Sequence, residues 1–273
     1  MKAASSSRWL ALGLVLLAGG LGANAIVGPL MLDVVDYPFS ESIRNQAIGL
    51  EAVTLVLVVP WALAASWLNF RGHALGPLVA IPPAVYAAYM MVQYVVGPNY
   101  LEYRPVVLLH VGIFVLGLTI AVGGWSLHRI EALRPARSRR YALIPLGLAV
   151  FVFARYLPLL SGATSEEPLT EEFADDPAMY WSIVLLDLGI VVPAAIAVAV
   201  AVFRGSSKAA QALYALLGWF VLVPVSVAAM AIVMLANDDP NRSAPTAILL
   251  STAALVFAAF AAWVHARLTR PGG

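Results

Sequence analysis

The chain has 273 residues, 62% of them hydrophobic and only 11% charged, with no cysteine and a formal net charge of +1. Soluble domains carry about 25% charged residues, so this composition predicts an integral membrane protein and excludes a soluble protein with one anchor. The lack of cysteine excludes disulfides, thiolate catalysis and cysteine-ligated metal centres. The small net charge indicates no basic face for nucleic acid.

Eight stretches of about 20 apolar residues, each long enough to span a bilayer, follow one another along the chain. They predict an all-α polytopic bundle that forms a single transmembrane domain, and the sequence shows no fixed-period repeat. The predicted spans are 8–32, 47–69, 74–96, 105–127, 141–160, 179–203, 209–236 and 244–266.

The first predicted span has a second interpretation. Lys2 and Arg8 precede the apolar run WLALGLVLLAGG, and residues 23–25 (Ala-Asn-Ala) resemble a signal-peptide cleavage site. Because the apolar run continues to Leu32, we favour a retained helix over a cleaved signal peptide. The orientation of the remaining spans is the same in both cases.

Lysine and arginine are divided unequally between the two sets of loops. Twelve lie on the side that contains both termini and three on the other. The positive-inside rule therefore predicts a multi-pass protein of the plasma (inner) membrane with both termini in the cytoplasm. The longest outer loop, 161–178, carries six acidic residues and no basic one. It is either a solvated loop or a surface for a partner protein.

One carboxylate, Asp187, lies well inside the sixth predicted span, MYWSIVLLDLGIVVPAAIAVAVAVF. A charge at this depth costs about 2.5–3.5 kcal/mol, so it normally faces a protein interior or a wet cavity. At 1.5 Å per residue, Asp187 lies roughly 12 Å and Arg155 roughly 8 Å below the outer ends of their helices. We expect these two residues to form a charge-assisted pair, with a role that is either functional or purely structural.

The other ionisable residues of the spans fall in the same leaflet, with Glu51 roughly 6 Å and His110 roughly 7 Å below the outer ends of their helices. Tyrosine hydroxyls and an amide of the third span supply donors at similar depth. The predicted binding or ion-pair cluster consists of Asp187, Arg155, Glu51, His110, Tyr89 and Gln93.

Simpler explanations exist for several of these residues. Glu51 is close enough to the interface to be hydrated, and a lone histidine such as His110 is more often hydrogen-bonded at an interface than a ligand. The tyrosines near the outer surface are most simply an aromatic belt; they are Tyr86, Tyr89, Tyr94, Tyr100 and Tyr103. Prolines within spans, including the pair Pro82 and Pro83, disturb the helical hydrogen-bond ladder.

Most catalytic and cofactor signatures are absent. Only His110 lies clearly within a span, so a bis-histidine haem is not predicted, and no HxxxH or HxH spacing supports a metal site. There is no phosphate-binding GxxxxGK[ST] loop, no GxSxG elbow and no GxGxxG turn. The sequence therefore predicts no metal and no cofactor, although Glu51, Asp187 and His110 together contain the groups for acid–base catalysis.

Four segments resemble a family of polytopic membrane proteins of bacteria and archaea without assigned activity. They are YxxY before GPNY, then LLHVGIFVLGL, ARYLPLL and YWSIVLLDLGIVVPA, which cover about the middle half of the chain. The resemblance implies that Tyr89, Asn99, Asp187 and Pro193 are typical of the family. His110 departs from its apolar or aromatic pattern, and the last two spans match poorly.

Three functions are compatible with these features. The first is a transporter or channel for a small solute, in which Asp187 and Arg155 bind or gate the solute or a proton. The second is a membrane-embedded enzyme that acts on lipid or quinone. The third is a non-catalytic membrane subunit or sensor. A cavity open to the outside favours the first, a lateral opening lined by Glu51 and His110 favours the second, and a filled bundle favours the third.

Overall fold

A computed structural model describes residues 2–35, 37–102, 104–127, 140–161 and 173–269. Within these ranges the protein is helical and contains no β-strand, which confirms the predicted all-α fold. Seven helices are long and apolar enough to cross a membrane, and a shorter apolar helix lies at Tyr141–Ala154. The protein is therefore an integral membrane helix bundle.

The helices are numbered α1 to α8 in chain order. They are α1 (Lys2–Val27), α2 (Glu41–Phe70), α3 (Gly76–Val96), α4 (Val106–Leu127), α5 (Arg140–Ala154), α6 (Pro177–Phe203), α7 (Ala209–Ala236) and α8 (Ala244–Thr269). A short helix, Leu157–Ser161, follows α5. We call the end of the bundle at which the even-numbered helices begin the acidic end, and the opposite end the basic end.

The bounds of α2 and α3 differ from the prediction because of local chemistry that hydropathy does not detect. α2 begins at Glu41 rather than at 47, since the Ser40 hydroxyl caps it by accepting from the Ile43 N–H at 3.4 Å. Pro82 and Pro83 lie in the first turn after the break at residue 80. The predicted disturbance is therefore present as this break, and in the segment Ile81–Val96 that follows it the prolines remove no further bond, because N–H groups in a first turn lack helical partners anyway.

The fifth predicted span is interrupted. α5 ends at Ala154, and Arg155 and Tyr156 form a turn held by i→i−3 backbone bonds of 3.2 and 3.0 Å. Pro158 explains the interruption, since it has no N–H to donate to the carbonyl of Ala154 and its ring clashes with that carbonyl. The turn aims the Arg155 and Tyr156 side chains differently from a continuous helix.

α2 and α6 each contain a five-residue π-turn, Thr54–Val58 and Asp187–Val191. The N–H after each turn bonds to the carbonyl of the first residue of the turn, five positions back. A proline follows both turns, in the matching heptapeptides TLVLVVP and DLGIVVP. π-turns of this kind relieve the strain of an interior proline, so the same sequence device shapes both helices.

The two halves of the chain pack alike. In the first half α1 lies against α2 and α3 against α4; in the second half α5 lies against α6 and α7 against α8. Between the halves α2 packs on α7, α3 packs on α6, and α3 meets α7. These helix pairs follow the same order in both halves, a correspondence that no regular sequence period revealed.

Candidate functional site

The polar side chains of the acidic half separate into two groups instead of the single predicted cluster. The first, which we call the Asp187 site, contains Asp187, Tyr89, Tyr156 and Arg155. The second, which we call the Glu51 cluster, contains Glu51, Asn24, Tyr37, Tyr94 and His110.

Asp187 is the first residue of the π-turn in α6 and is 5% exposed. The Tyr89 hydroxyl donates to Oδ1 and the Tyr156 hydroxyl donates to Oδ2, both at 2.6 Å. Each carboxylate oxygen thus receives one short bond, which is the usual way a buried polar group is stabilised. Depth along the helix does not identify Tyr156 as a partner of Asp187; the sequence signal for it is Pro158, which places Tyr156 in a turn.

Arg155 does not pair with Asp187. Among the described residues the ion pairs within 4 Å are Arg44–Asp33 and Arg242–Asp238, both on exposed side chains. The Arg155 side chain is exposed, and its guanidinium carbon lies 6.0 Å from the centre of the Tyr156 ring. The predicted direct pair is therefore wrong, because neutral hydroxyl donors occupy the carboxylate that the guanidinium was expected to bind.

A cavity of about 1110 Å³ opens beside Asp187. Its described lining comes from the acidic halves of α2, α3, α6, α7 and α8 and from the turn after α5. Of the predicted site residues, Asp187, Arg155, Tyr89 and Gln93 line it, and its described lining includes neither Glu51 nor His110. Along α6 the cavity runs from Met179 to Leu188, about 14 Å at 1.5 Å per residue.

The basic half of the bundle is closely packed. Leu10 and Leu14 of α1 are completely buried. α4 approaches α3 through glycines: a Cβ at Gly117 would lie 2.7 Å from the carbonyl oxygen of Ala84, and one at Gly124 would lie 2.5 Å from that of Pro77. Such small-residue contacts bring helix backbones together in lipid.

Glu51 is enclosed rather than hydrated, with 2% of its surface exposed. Its Oε1 accepts from the Tyr94 hydroxyl at 3.0 Å and from the Asn24 amide at 3.5 Å, and its Oε2 accepts from the Leu30 N–H at 3.2 Å. A Cβ at Gly28 would lie 2.5 Å from Oε1. The loop after α1 is therefore folded directly over this carboxylate.

His110 joins the same cluster from α4 and is completely buried. Its Nε2 lies 2.8 Å from Asn24 Oδ1 and 3.1 Å from the Tyr37 hydroxyl, while its Nδ1 has no partner among the described residues. Burial first, and then the charge of Glu51, raise the pKa of the Tyr37 hydroxyl. That hydroxyl therefore stays protonated and donates to Asn24 Oδ1 at 3.1 Å.

The two groups contain no evident metal site. Within the part of the chain that the structure describes, no three His, Cys, Asp or Glu side chains come together in a way that could hold a metal ion. Glu51 instead faces an amide, a hydroxyl and a backbone N–H, all of which can act as donors. This cluster closes the acidic end of α1, α2, α3 and α4 and does not form an open reaction face.

The predicted aromatic belt is wrong for three of its members. Tyr86, Tyr89 and Tyr94 are buried in the bundle, and all three hydroxyls hydrogen-bond to other helices. Tyr103, and most of the acidic loop 161–178 with its possible partner surface, lie outside the described residues. Asp176 of that loop is described, and its Oδ2 accepts from the Ser40 N–H at 3.1 Å.

The chain matches no protein-family model, no curated protein and no solved structure.

Proposed function

We propose that this membrane protein is a transporter or channel-like protein for a small solute, which enters from the acidic end and reaches the Asp187 site. The observation that carries the proposal is the cavity of about 1110 Å³ whose described charged lining residues are Asp187 and Arg155. Intramembrane charges that line a cavity commonly mark solute or proton pathways.

The other two functions receive less support. An enzyme that used Glu51 and His110 as acid and base would need both on an open face, whereas both are buried under the loop after α1. A purely structural subunit would be expected to have a filled interior. With the distribution of lysine and arginine, the proposal orients the cavity to the outside and both termini to the cytoplasm.

Single-cysteine labelling tests the proposal, since the natural chain has no cysteine and gives no background. Ala231→Cys and Leu188→Cys introduce thiols at the rim and the base of the cavity. Their matched controls are Ile232→Cys and Leu185→Cys, adjacent or one turn away at similar depth but on exposed faces of 52% and 65%. A thiol that faces lipid reacts poorly with a charged reagent because it does not ionise there.

With an impermeant methanethiosulfonate reagent, we expect both cavity thiols to react in intact cells and both controls to remain unlabelled. A transporter or channel must expose its central site to both sides. Leu188→Cys should therefore also react in inside-out vesicles, and Ala231→Cys much more slowly. If Leu188→Cys reacts from one side alone, or from neither, the transport proposal is wrong.

A further inference from the structure

Two recesses meet at Arg155 and Asp187. One is the large cavity, and the other is a cleft of about 50 Å³ between α5, α6, α7 and α8. Both are lined by Arg155, Asp187, Val223 and Leu250. The cleft has room for a small group, and the cavity beside it has room for a chain.

At this junction some hydrogen-bond donors have acceptors and others have none among the described residues. Tyr89 and Tyr156 already donate to the two oxygens of Asp187. The guanidinium of Arg155, which has five N–H donors, makes no hydrogen bond or ion pair with the described residues. Trp219 lines the cleft with 6% of its surface exposed, and its Nε1–H has no acceptor in the described part of the chain.

A buried N–H without an acceptor is rare in folded proteins and calls for an explanation. Here the two residues that carry such donors, Trp219 and Arg155, line one cleft. A group with several acceptor oxygens and a negative charge satisfies both. Both oxygens of Asp187 already accept from tyrosine hydroxyls, so the free donors at this junction favour an oxyanion over a cation.

The rest of the large cavity is mainly apolar. Its walls include Leu50 of α2, Leu159 after α5, Val184 of α6, Val227 of α7 and Leu250 of α8. A bare ion at Arg155 would leave this surface in contact with water. An apolar chain would cover the surface, which is favourable in proportion to the area removed from water.

We propose that the ligand of this site is an anionic amphiphile, with a phosphate or carboxylate head at Arg155 and Trp219 Nε1 and an apolar chain along the cavity. The assignment rests on the proposed function, since it takes the cavity to be the route of the solute. It names the class of that solute by charge complementarity at one end and by apolar surface at the other.

Native mass spectrometry of the full chain in a non-ionic detergent tests the assignment. The probes are dodecyl phosphate, dodecanoate, dodecyltrimethylammonium, inorganic phosphate and acetate. We expect one dodecyl anion to bind per chain, with at least about tenfold weaker binding of the cationic amphiphile and of the two short anions. The relative affinities of dodecyl phosphate and dodecanoate identify the preferred head group.

Variants locate the binding. Arg155→Gln and Trp219→Phe should each weaken binding of the dodecyl anion about tenfold, while Arg155→Lys should retain most of it. The matched controls are Arg204→Gln and Trp67→Phe, which alter exposed residues near the basic end and should bind as the wild type does. An unchanged elution volume in size-exclusion chromatography verifies that each variant is folded.

The assignment is overturned if the cationic amphiphile binds as well as the anions, or if Arg155→Gln binds normally. It is also overturned if inorganic phosphate competes as strongly as dodecyl phosphate, since the apolar chain then contributes nothing. These results are separate from the cysteine labelling: two-sided access at Leu188→Cys with no amphiphile binding removes the ligand assignment and leaves the transport proposal intact.

Discussion

At the scale of single residues, Asp187 is held by two neutral hydroxyl groups and not by the nearby guanidinium. The turn at Arg155 and Tyr156 produces this outcome, since successive residues in a turn point in different directions. Tyr156 reaches the carboxylate at 2.6 Å, whereas Arg155 stays exposed beside the cavity. Depth along a helix predicted that Arg155 and Asp187 were neighbours, but it could not predict which of 155 and 156 faced inward.

Removal of one of these tyrosine hydroxyls should lower the free energy of unfolding. We expect Tyr156→Phe to destabilise the protein by about 1.5–3 kcal/mol, because hydrogen bonds to a charged group fall in this range. Thermal unfolding in detergent measures the change. The matched control is Tyr180→Phe, on the same side of the bundle but not bonded to Asp187.

A double-mutant cycle with Asp187→Asn separates the bond from other effects of the substitution. The cost of Tyr156→Phe should shrink clearly in the Asp187→Asn background. Equal costs in the two backgrounds would show that the hydroxyl stabilises the protein through some other contact.

At the scale of helices, close backbone approach joins the two halves of the bundle. Gly49 of α2 faces α7, where a Cβ would lie 2.6 Å from the backbone of Met230. The π-turn of α2 follows within the next two turns of the helix and carries Thr54, whose hydroxyl lies 3.4 Å from that of Tyr86. Packing and polar contacts therefore hold α2 against α3 and α7.

Gly49→Ala tests the contact between α2 and α7. A methyl group there meets backbone atoms, which cannot rotate away, so we expect a loss of about 1–3 kcal/mol. Gly19→Ala is the control, because no atom lies within 4 Å of its Cβ position. That control should be neutral or stabilising by about 0.5–1 kcal/mol, since alanine favours a helix more than glycine does. Melting curves that rank the two variants in the reverse order would contradict this account.

At the scale of the whole molecule, the two four-helix halves meet around the cavity and are tied together at the acidic end. Asp239, in the loop between α7 and α8, is completely buried. It accepts at 2.8 Å from the Ser42 hydroxyl, the Asn45 amide and the Asn241 N–H. Ser42 and Asn45 belong to the first turns of α2, so one carboxylate links the first half of the chain to the second.

This link predicts a dependence of stability on pH. Burial alone would raise the pKa of Asp239, but hydrogen bonds from Asn45, Asn241 and Ser42 outweigh it and hold the pKa below its usual value. A group with a lowered folded-state pKa stabilises the fold above its unfolded-state pKa, about 3.9 for aspartate. That stabilisation is lost as the pH falls through the folded-state pKa.

We therefore expect Asp239→Asn to lower the melting temperature at pH 7, by the equivalent of about 1–3 kcal/mol. The difference from the wild type should shrink as the pH falls below about 4. The neighbouring Asp238→Asn is the control: its side chain is 86% exposed, and it should show no such pH-dependent difference. A gap between wild type and Asp239→Asn that stays constant from pH 7 to pH 3 would rule out the proposed role of the carboxylate.

The sequence by itself determined that the chain is an all-α membrane bundle, because twenty apolar residues in a row satisfy their backbone groups in lipid only as helices. It also singled out Asp187, since a carboxylate inside such a run needs a protein environment. The tertiary structure alone decided which groups meet it. Which side chains bind Asp187 depends on the rotation of each helix, on the turn before Pro158 and on the π-turn before Pro193. Each of these changes the direction of side chains, and the number of residues along the sequence does not show by how much. The cavity is likewise a property of how α2, α3 and α5 to α8 pack, because the space between helices is set by side chains from both halves at once.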